Sequence, residues 1–376
     1  MRFTLVAMFA MIIGGTGARC FAGDNILVNS DFSQGTKGWG GVGSDDKQEV
    51  GLVDVGGAKG MKLARKAAGD TRVFIDQTVK VKPQTLYRFS VTGSGKGSAV
   101  IRVRPQSVKD PEYDKACKPW SICSGPMPAS EKAVTSGHDF DTGMKVDQVI
   151  VMVYLDGKDA GEYVVTNVSL TEVGSSVPGD NEKIIVYLGD SLTNLSYLPF
   201  EERVDAVLKE MLAKEKVGAF RQINYAADGE YIKDLLNSNR YKKMVKENLA
   251  RVDIAIIRYG GNDSRYGTPE DFKKQMGILS DKLIADYPKV KIIMGTGTYL
   301  KGNDDVNLKQ YGAYWSATRE FAAERKYPLS DMYAAFEKLQ SDKLTRNSGD
   351  MHPSAEGAKV MAETLVKDVA GMLKTP

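Results

Sequence analysis

Ser191 closes the tripeptide Gly189-Asp190-Ser191, which follows directly on the apolar run Ile184-Ile185-Val186-Tyr187-Leu188. A run of that kind reads as a strand buried on both faces, so Ser191 falls in the turn at a strand's carboxyl end, where open α/β sheets bind ligands. A nucleophile belongs there, although the tripeptide taken alone reads equally well as a helix N-cap. A serine hydroxyl attacks an ester only when a base takes its proton. The chain has two histidines, His138 and His352, and only His352 lies in the same half as Ser191. It sits in Asp350-Met351-His352-Pro353-Ser354. Pro353 drives it toward an extended conformation, and Ser354 can cap the helix that follows. Two more blocks fall after strand-like runs: Asp228-Gly229, whose glycine lets a backbone N–H come close to a substrate, and Gly260-Gly261-Asn262-Asp263, which brings a side-chain amide to the same sheet edge.

These blocks need a scaffold that returns each of them to one edge. Beyond residue 182 the sequence alternates strand-like and helix-like patterns. Strands are expected at 184–188, 222–226, 254–259, 291–295 and about 327–331. Between them, Phe200, Val204, Val207, Leu208 and Met211, and then Phe272, Met276, Leu279 and Leu283, repeat at the spacing of one helix face. Ala358, Met361, Leu365, Val369 and Met372 mark a terminal helix. Strand then helix, repeated, predicts a mostly parallel sheet covered on both sides. Residues 23–173 read instead as an all-β sandwich, with short strands at 73–81, 86–91, 99–103, 146–155 and 163–170. The small, polar stretch 174–181 is the expected linker between this domain and the second domain, 182–376.

At 376 residues the chain is long enough for two ordinary cores, with 42% hydrophobic and 26% charged residues. Residues 1–22 combine Arg2, an apolar run from Phe3 to Ile13 and small residues, which is the pattern of a secretory signal peptide cleaved after Ala22. The run is shorter than the ~20 residues a membrane span needs. Cys20 suggests lipidation as a minor option, against which stands Arg19 just before it. The formal charge of +3 contains Arg2 and Arg19, and the chain has no basic block of the kind that binds nucleic acid. Cys117 and Cys123, with Trp120 between them, are expected to close a small loop as a disulfide in an oxidising compartment. No His/Cys ligand cluster is visible, so catalysis is expected to need no metal or other cofactor.

Taken in order, the four blocks resemble the SGNH, or GDSL, hydrolase superfamily over about residues 183–373. That resemblance implies an α/β three-layer fold and a roster of roles. Ser191 attacks an ester carbonyl and His352 relays its proton, while the N–H groups of Ser191 and Gly229 and the amide of Asn262 hold the oxyanion. The chain departs from the family where the acid normally stands three residues before the histidine, since that position is Gly349. Asp350 lies two before it. In an extended segment residues i and i+2 share a face, so Asp350 is the expected orienter. A Ser/His dyad steadied by a backbone carbonyl, or a distant carboxylate such as Asp342, are the alternatives. Asp190 and Asp263 are expected to hold loops rather than to react.

The start of the first domain, Asn25 to Trp39 with Asp31-Phe32, Gly35 and Gly38, is similar to the opening of carbohydrate-binding jelly-roll modules. The resemblance implies that Trp39 is core, that Trp120 and Tyr113 are candidates for sugar contact, and that a structural Ca²⁺ is possible there. His138 is expected in an exposed, inert loop. The two resemblances together imply an extracytoplasmic esterase that removes O-acetyl or other short acyl groups from an acylated polysaccharide or oligosaccharide. An O-acyltransferase using the same serine, a lipase or thioesterase, and a glycan-binding protein with an inactive hydrolase-like domain are the competing expectations.

Overall fold

The computed structural model describes residues 23–117, 121–303, 305–347 and 349–374. The stretch read as a signal peptide and Trp120 lie outside the described residues. Among its described residues the first domain has ten strands: β1 (Gly43–Ser44), β2 (Gln48–Val55), β3 (Ala58–Arg65), β4 (Phe74–Lys80), β5 (Thr85–Gly95), β6 (Ala99–Gln106), β7 (Cys123–Met127), β8 (Ser130–Asp141), β9 (Gln148–Leu155) and β10 (Gly161–Ser175). They form two antiparallel sheets, ordered β1-β2-β3-β10-β5-β8 and β4-β9-β6-β7. The period of two explains the core. Tyr87, Phe89 and Val91 of β5 face Val149, Val151 and Val153 of β9 across the sandwich, and Ala99, Ile101 and Val103 of β6 point the same way. The alternate residues of β6, Val100 and Arg102, point outward. Trp39 is buried against Phe32 and donates its indole N–H to the Asn29 carbonyl, as a core residue should.

Among its described residues the second domain contains five strands, β11 (Lys183–Gly189), β12 (Phe220–Asn224), β13 (Ile254–Arg258), β14 (Lys291–Gly295) and β15 (Leu329–Ser330), all parallel and ordered β12-β11-β13-β14-β15. Alternate residues of each strand feed two cores. Ile184, Val186, Leu188, Ala255 and Ile257 pack under the helices Ile232–Asn237, Pro269–Asp286 and Ala313–Arg325. Ile185, Tyr187, Ile254 and Ile256 pack under Val204–Lys214, Met332–Leu339 and Ala355–Lys374. This order changes direction beside β11, the first strand in sequence, which lies between the second and the third. Ligand crevices form at such a switch point. No helix among the described residues is long and apolar enough to cross a membrane.

The joint between the domains differs from the expected linker. β10 runs on through Gly174 and Ser175, and buried Ser176 donates its N–H to the Gln84 carbonyl, so the connection is packed onto the sandwich. The domains then dock through hydrogen bonds and one aromatic plug. Lys243 meets Asp110 at 2.9 Å, Arg221 meets Asp141 at 3.0 Å, and Asn248 accepts from the N–H groups of Met144 and Lys145. Phe200 enters the open edge of the sandwich between β7 and β8. There it stacks on His138, with centroids 4.5 Å apart, and an added Cβ on Gly125 would lie only 2.6 Å from its ring. His138 is therefore a half-buried interface residue on β8, not the exposed loop residue expected, and burial lowers its pKa.

Two further expectations for the first domain are corrected. Cys117 and Cys123 are free thiols, both buried. Cys117 ends a helix (Pro111–Cys117) beside Tyr113 and within the field of Arg240, while Cys123 opens β7 opposite Val103 and faces the field of Arg203. Each is enclosed by different neighbours, and burial pushes both thiols up to about 12. Tyr113, read as a sugar contact, is fully buried on the same helix and presents no ring to solvent.

Candidate active site

β11 delivers the nucleophile candidate by a short helix, Ser191–Asn194, whose N-cap is Asp190 and not Ser191. The Asp190 carboxylate accepts the Leu192 N–H at 2.9 Å, which leaves the serine in the first turn. Its own N–H is one of the donors that a helix start leaves without an intrahelical acceptor. Ser191 Oγ lies 2.9 Å from His352 Nε2, across 161 residues of sequence. His352 Nδ1 lies 2.6 Å from Asp350 Oδ1, and the same oxygen accepts the His352 backbone N–H at 3.0 Å. Burial works to raise the Asp350 pKa, but these hydrogen bonds and the charges of His352 and Arg346 outweigh it and hold the carboxyl below its ordinary value. Asp350 thus stays a carboxylate at neutral pH, and a carboxylate at that distance favours the tautomer with its proton on Nδ1, in which Nε2 can accept a proton from a hydroxyl. Asp342 is exposed and pairs instead with Lys301 at 3.1 Å.

The histidine loop is braced from three sides. Arg346 N–H donates to the His352 carbonyl, Ser354 N–H to the Leu344 carbonyl, and Thr298 Oγ1 to the Met351 carbonyl. Ser354 also accepts the Gly357 N–H at the start of the terminal helix. Tyr197 stands edge-on to the imidazole at 5.6 Å between centroids, with its hydroxyl on the Pro353 carbonyl and the Arg346 guanidinium 4.6 Å above its ring. Sequence reading missed Tyr197 and Arg346. Neither lies in a motif, and only folding sets them beside the histidine.

The donor blocks arrive at the same edge. After β12 the chain keeps pairing with β11 through the N–H groups of Tyr225 and Ala227, which carries it to Asp228 and Gly229. Gly229 has φ +78°, a conformation costly for any residue with a Cβ. Asp228 is pinned by Asn194 and Ser196 at 2.9 and 2.6 Å. After β13, Gly260 turns at φ +123° against the face of Trp315, where a Cβ would come within 2.5 Å of the ring. Asp263 then ties the loop by accepting from the N–H groups of Ile232 and Gly260, and Asn262 donates its amide to the Glu230 carbonyl at 3.1 Å. Glu230 in turn is buried with Arg240 and Tyr259. Ser191, Gly229, Asn262 and His352 line one cleft of about 400 Å³, with Tyr197, Arg265 and Met351 on its rim. A base, a hydroxyl and donors converging on one space can take a carbonyl compound through a tetrahedral intermediate.

Residues 187–360 match the model of the GDSL-like lipase/acylhydrolase family, and residues 24–159 match that of a carbohydrate binding domain. No curated protein matches the sequence. Among solved structures, a protein of Bacillus subtilis aligns at 17% identity over 92% of this chain and 94% of its own, with a TM-score of 0.50. A family two carbohydrate esterase from Clostridium thermocellum, solved with cellohexaose, aligns at 14% identity over 84% of this chain and 95% of its own, with a TM-score of 0.42. An acetylxylan esterase from Geobacillus stearothermophilus aligns at 18% identity over 50% of this chain and 94% of its own, with a TM-score of 0.41. At 17% identity the likeness to the Bacillus subtilis protein is one of fold.

Proposed function

We propose, for a chain whose second domain belongs to the GDSL-like lipase/acylhydrolase family and which is a carboxylic ester hydrolase, that it is a secreted serine esterase removing O-acetyl or other short acyl groups from a carbohydrate. The observation that carries this reading is the unbroken run of hydrogen bonds from Ser191 Oγ through His352 to Asp350 at the floor of the cleft. Ser191 Oγ attacks the ester carbonyl while its proton passes to His352 Nε2, and Asp350 stabilises the imidazolium that forms. The carbonyl oxygen, now an anion, is held by the N–H groups of Ser191 and Gly229 and the Asn262 amide. Collapse expels the sugar oxygen, which takes the proton from His352, and leaves an acyl-serine. Water then gives its proton to His352 and adds to the acyl carbon. The second collapse returns that proton to Ser191 Oγ and releases the carboxylic acid, which gives up its remaining proton to solvent.

The carbohydrate part of the reading is supported by the carbohydrate binding domain match. The secreted part rests on the composition of residues 1–22. The test is acetate release from acetylated xylan, pectin and peptidoglycan, alongside hydrolysis of p-nitrophenyl acetate. Wild type is expected to turn over the small ester and at least one glycan, and Ser191→Ala is expected to lose both by ~10³-fold or more. Retention of turnover in Ser191→Ala would exclude the serine mechanism. Turnover of long-chain esters alone would exclude the carbohydrate substrate.

A further inference from the structure

The active-site cleft does not stop at the hydrolase domain. Past Ser196, Tyr197 and Asp228 it continues into a groove of about 310 Å³ whose far wall is the outward face of the β4-β9-β6-β7 sheet. That wall carries Val100 and Arg102 of β6, Ser124 and Pro126 of β7, and Tyr154 of β9. The strand registers make them neighbours. Val100 pairs with Tyr154 and with Pro126, and Arg102 pairs with Ser124. These positions alternate with Ala99, Ile101 and Val103, which fill the core, so pleating alone sends Arg102 and Tyr154 toward the hydrolase.

Three properties make this groove a built site. Its two walls are held at a fixed distance, because Arg203 at the edge of the hydrolase donates to the Ser124 carbonyl of β7 at 2.6 Å while Phe200 plugs the sandwich edge beside it. Its polar groups act on one another: Arg102 and Tyr154 lie in each other's field and in that of Arg72, and both feel Asp228 across the gap more weakly. Its charge is balanced, with Arg102 and Arg346 against Asp156 and Asp228. Hydroxyls, carboxylates and guanidinium groups without net charge match the many hydroxyls of an uncharged sugar, and they give a uronate or a polyanion no advantage.

We propose that the sandwich forms the second wall of the substrate cleft, with Arg102 and Tyr154 binding the neutral sugar residue next to the one that bears the acyl group. The inference rests on the carbohydrate esterase reading and extends it. It makes the first domain part of the catalytic cleft itself, and it gives the esterase a preference for neutral acylated glycans over acidic ones.

The experiment compares kcat/KM for acetylated xylo-oligosaccharides with that for p-nitrophenyl acetate in wild type, Tyr154→Phe, Arg102→Gln and Lys59→Ala, each checked by circular dichroism and melting temperature. Lys59 is an exposed residue of the β2–β3 hairpin and serves as the control. For Tyr154→Phe and Arg102→Gln the ratio of glycan to small-ester kcat/KM is expected to fall about tenfold, through KM on the glycan, with Lys59→Ala like wild type. Ratios unchanged in folded Tyr154→Phe, or falls of equal size on both esters, overturn the inference and leave the esterase reading standing. A wild type that cleaves p-nitrophenyl acetate but releases acetate from no glycan overturns both. Faster release from acetylated pectin than from acetylated xylan overturns the neutral-sugar assignment.

Discussion

An aspartate two residues ahead of its histidine reaches the imidazole because its carboxylate folds back over the chain and accepts the His352 backbone N–H, an Asx-turn that brings the same oxygen to the ring. Asp350 uses one oxygen twice, for the ring N–H and for the His352 backbone N–H, so the geometry is set locally and needs no distant partner. Replacing the carboxylate with an amide removes both the charge that supports the imidazolium and the control over which ring nitrogen carries the proton. Asp350→Asn is therefore expected to lower kcat by ~10²–10⁴-fold with little change in KM, as read from p-nitrophenyl acetate kinetics. A fall of less than about threefold would assign the orienting role to another group. This residue was legible in the sequence despite its departure from the family spacing. Tyr113 and the two cysteines were not, because residue type says nothing about burial, and all three turn into the core.

At the level of the elements, the strand ends and their caps set the reactive groups. Asp190 shows how. It is buried, caps the Ser191–Asn194 helix through one oxygen, and its other oxygen has no hydrogen-bond partner. Burial raises its pKa to about 7, with only partial relief from the Leu192 N–H. Unfolded, the same group titrates near ~3.9. Between those values the folded chain holds a proton that the unfolded chain releases, so this group's contribution to stability is fullest below about pH 4 and is lost as pH rises toward 7. Asn does not titrate and keeps the capping oxygen. Asp190→Asn is thus expected to raise the melting temperature relative to wild type more at pH 8 than at pH 5, and a difference independent of pH would count against a buried carboxyl of this kind. The glycine turns work by a different constraint. Gly260 and Gly297 both face Trp315 so closely that a Cβ on either would enter the indole, which fixes the loop that carries Asn262.

For the whole molecule, one arginine connects the two domains to the catalytic edge. Arg203 is buried, spans the carbonyls of Ser196 and Leu198 in the loop holding Tyr197, reaches the Ser124 carbonyl in the sandwich, and lies 4.3 Å from the Phe200 ring centroid. Its removal strands three carbonyls and loosens the plug. Arg203→Ala is expected to cost roughly 2–4 kcal/mol in urea unfolding and to lower activity on glycans more than on p-nitrophenyl acetate. Wild-type stability unaffected by this change would mean that the domains dock without it. The same docking explains why the connection at 176–182 is not a free tether: its backbone is bound by the sandwich at Ser176 and by Arg251 at Gly179 and Glu182.

Most of the strand and helix pattern of the second domain was written in the sequence, since apolar runs and one-sided helices report burial directly. Strands at 184–188, 254–259 and 291–295 and the helix face from Phe272 to Leu283 all correspond to observed elements. The edge strand was displaced to Phe220–Asn224 because its residues are only half buried and leave a weak apolar signal. In the sandwich, β1, β2, β3, β7 and β8 escaped notice, although the turn at Gly56-Gly57, with both φ values positive, is the kind that joins a hairpin. The four blocks that the structure brings to one sheet edge, and the order in which they come, are likewise read from sequence alone. Only the tertiary structure decided that Tyr197 and Arg346 flank the histidine, that Phe200 closes the sandwich, and that Arg102 and Tyr154 line the groove beside the cleft. Those relations join residues far apart in the chain through strand pairing and domain docking, and no local pattern encodes a contact whose partner lies in another domain.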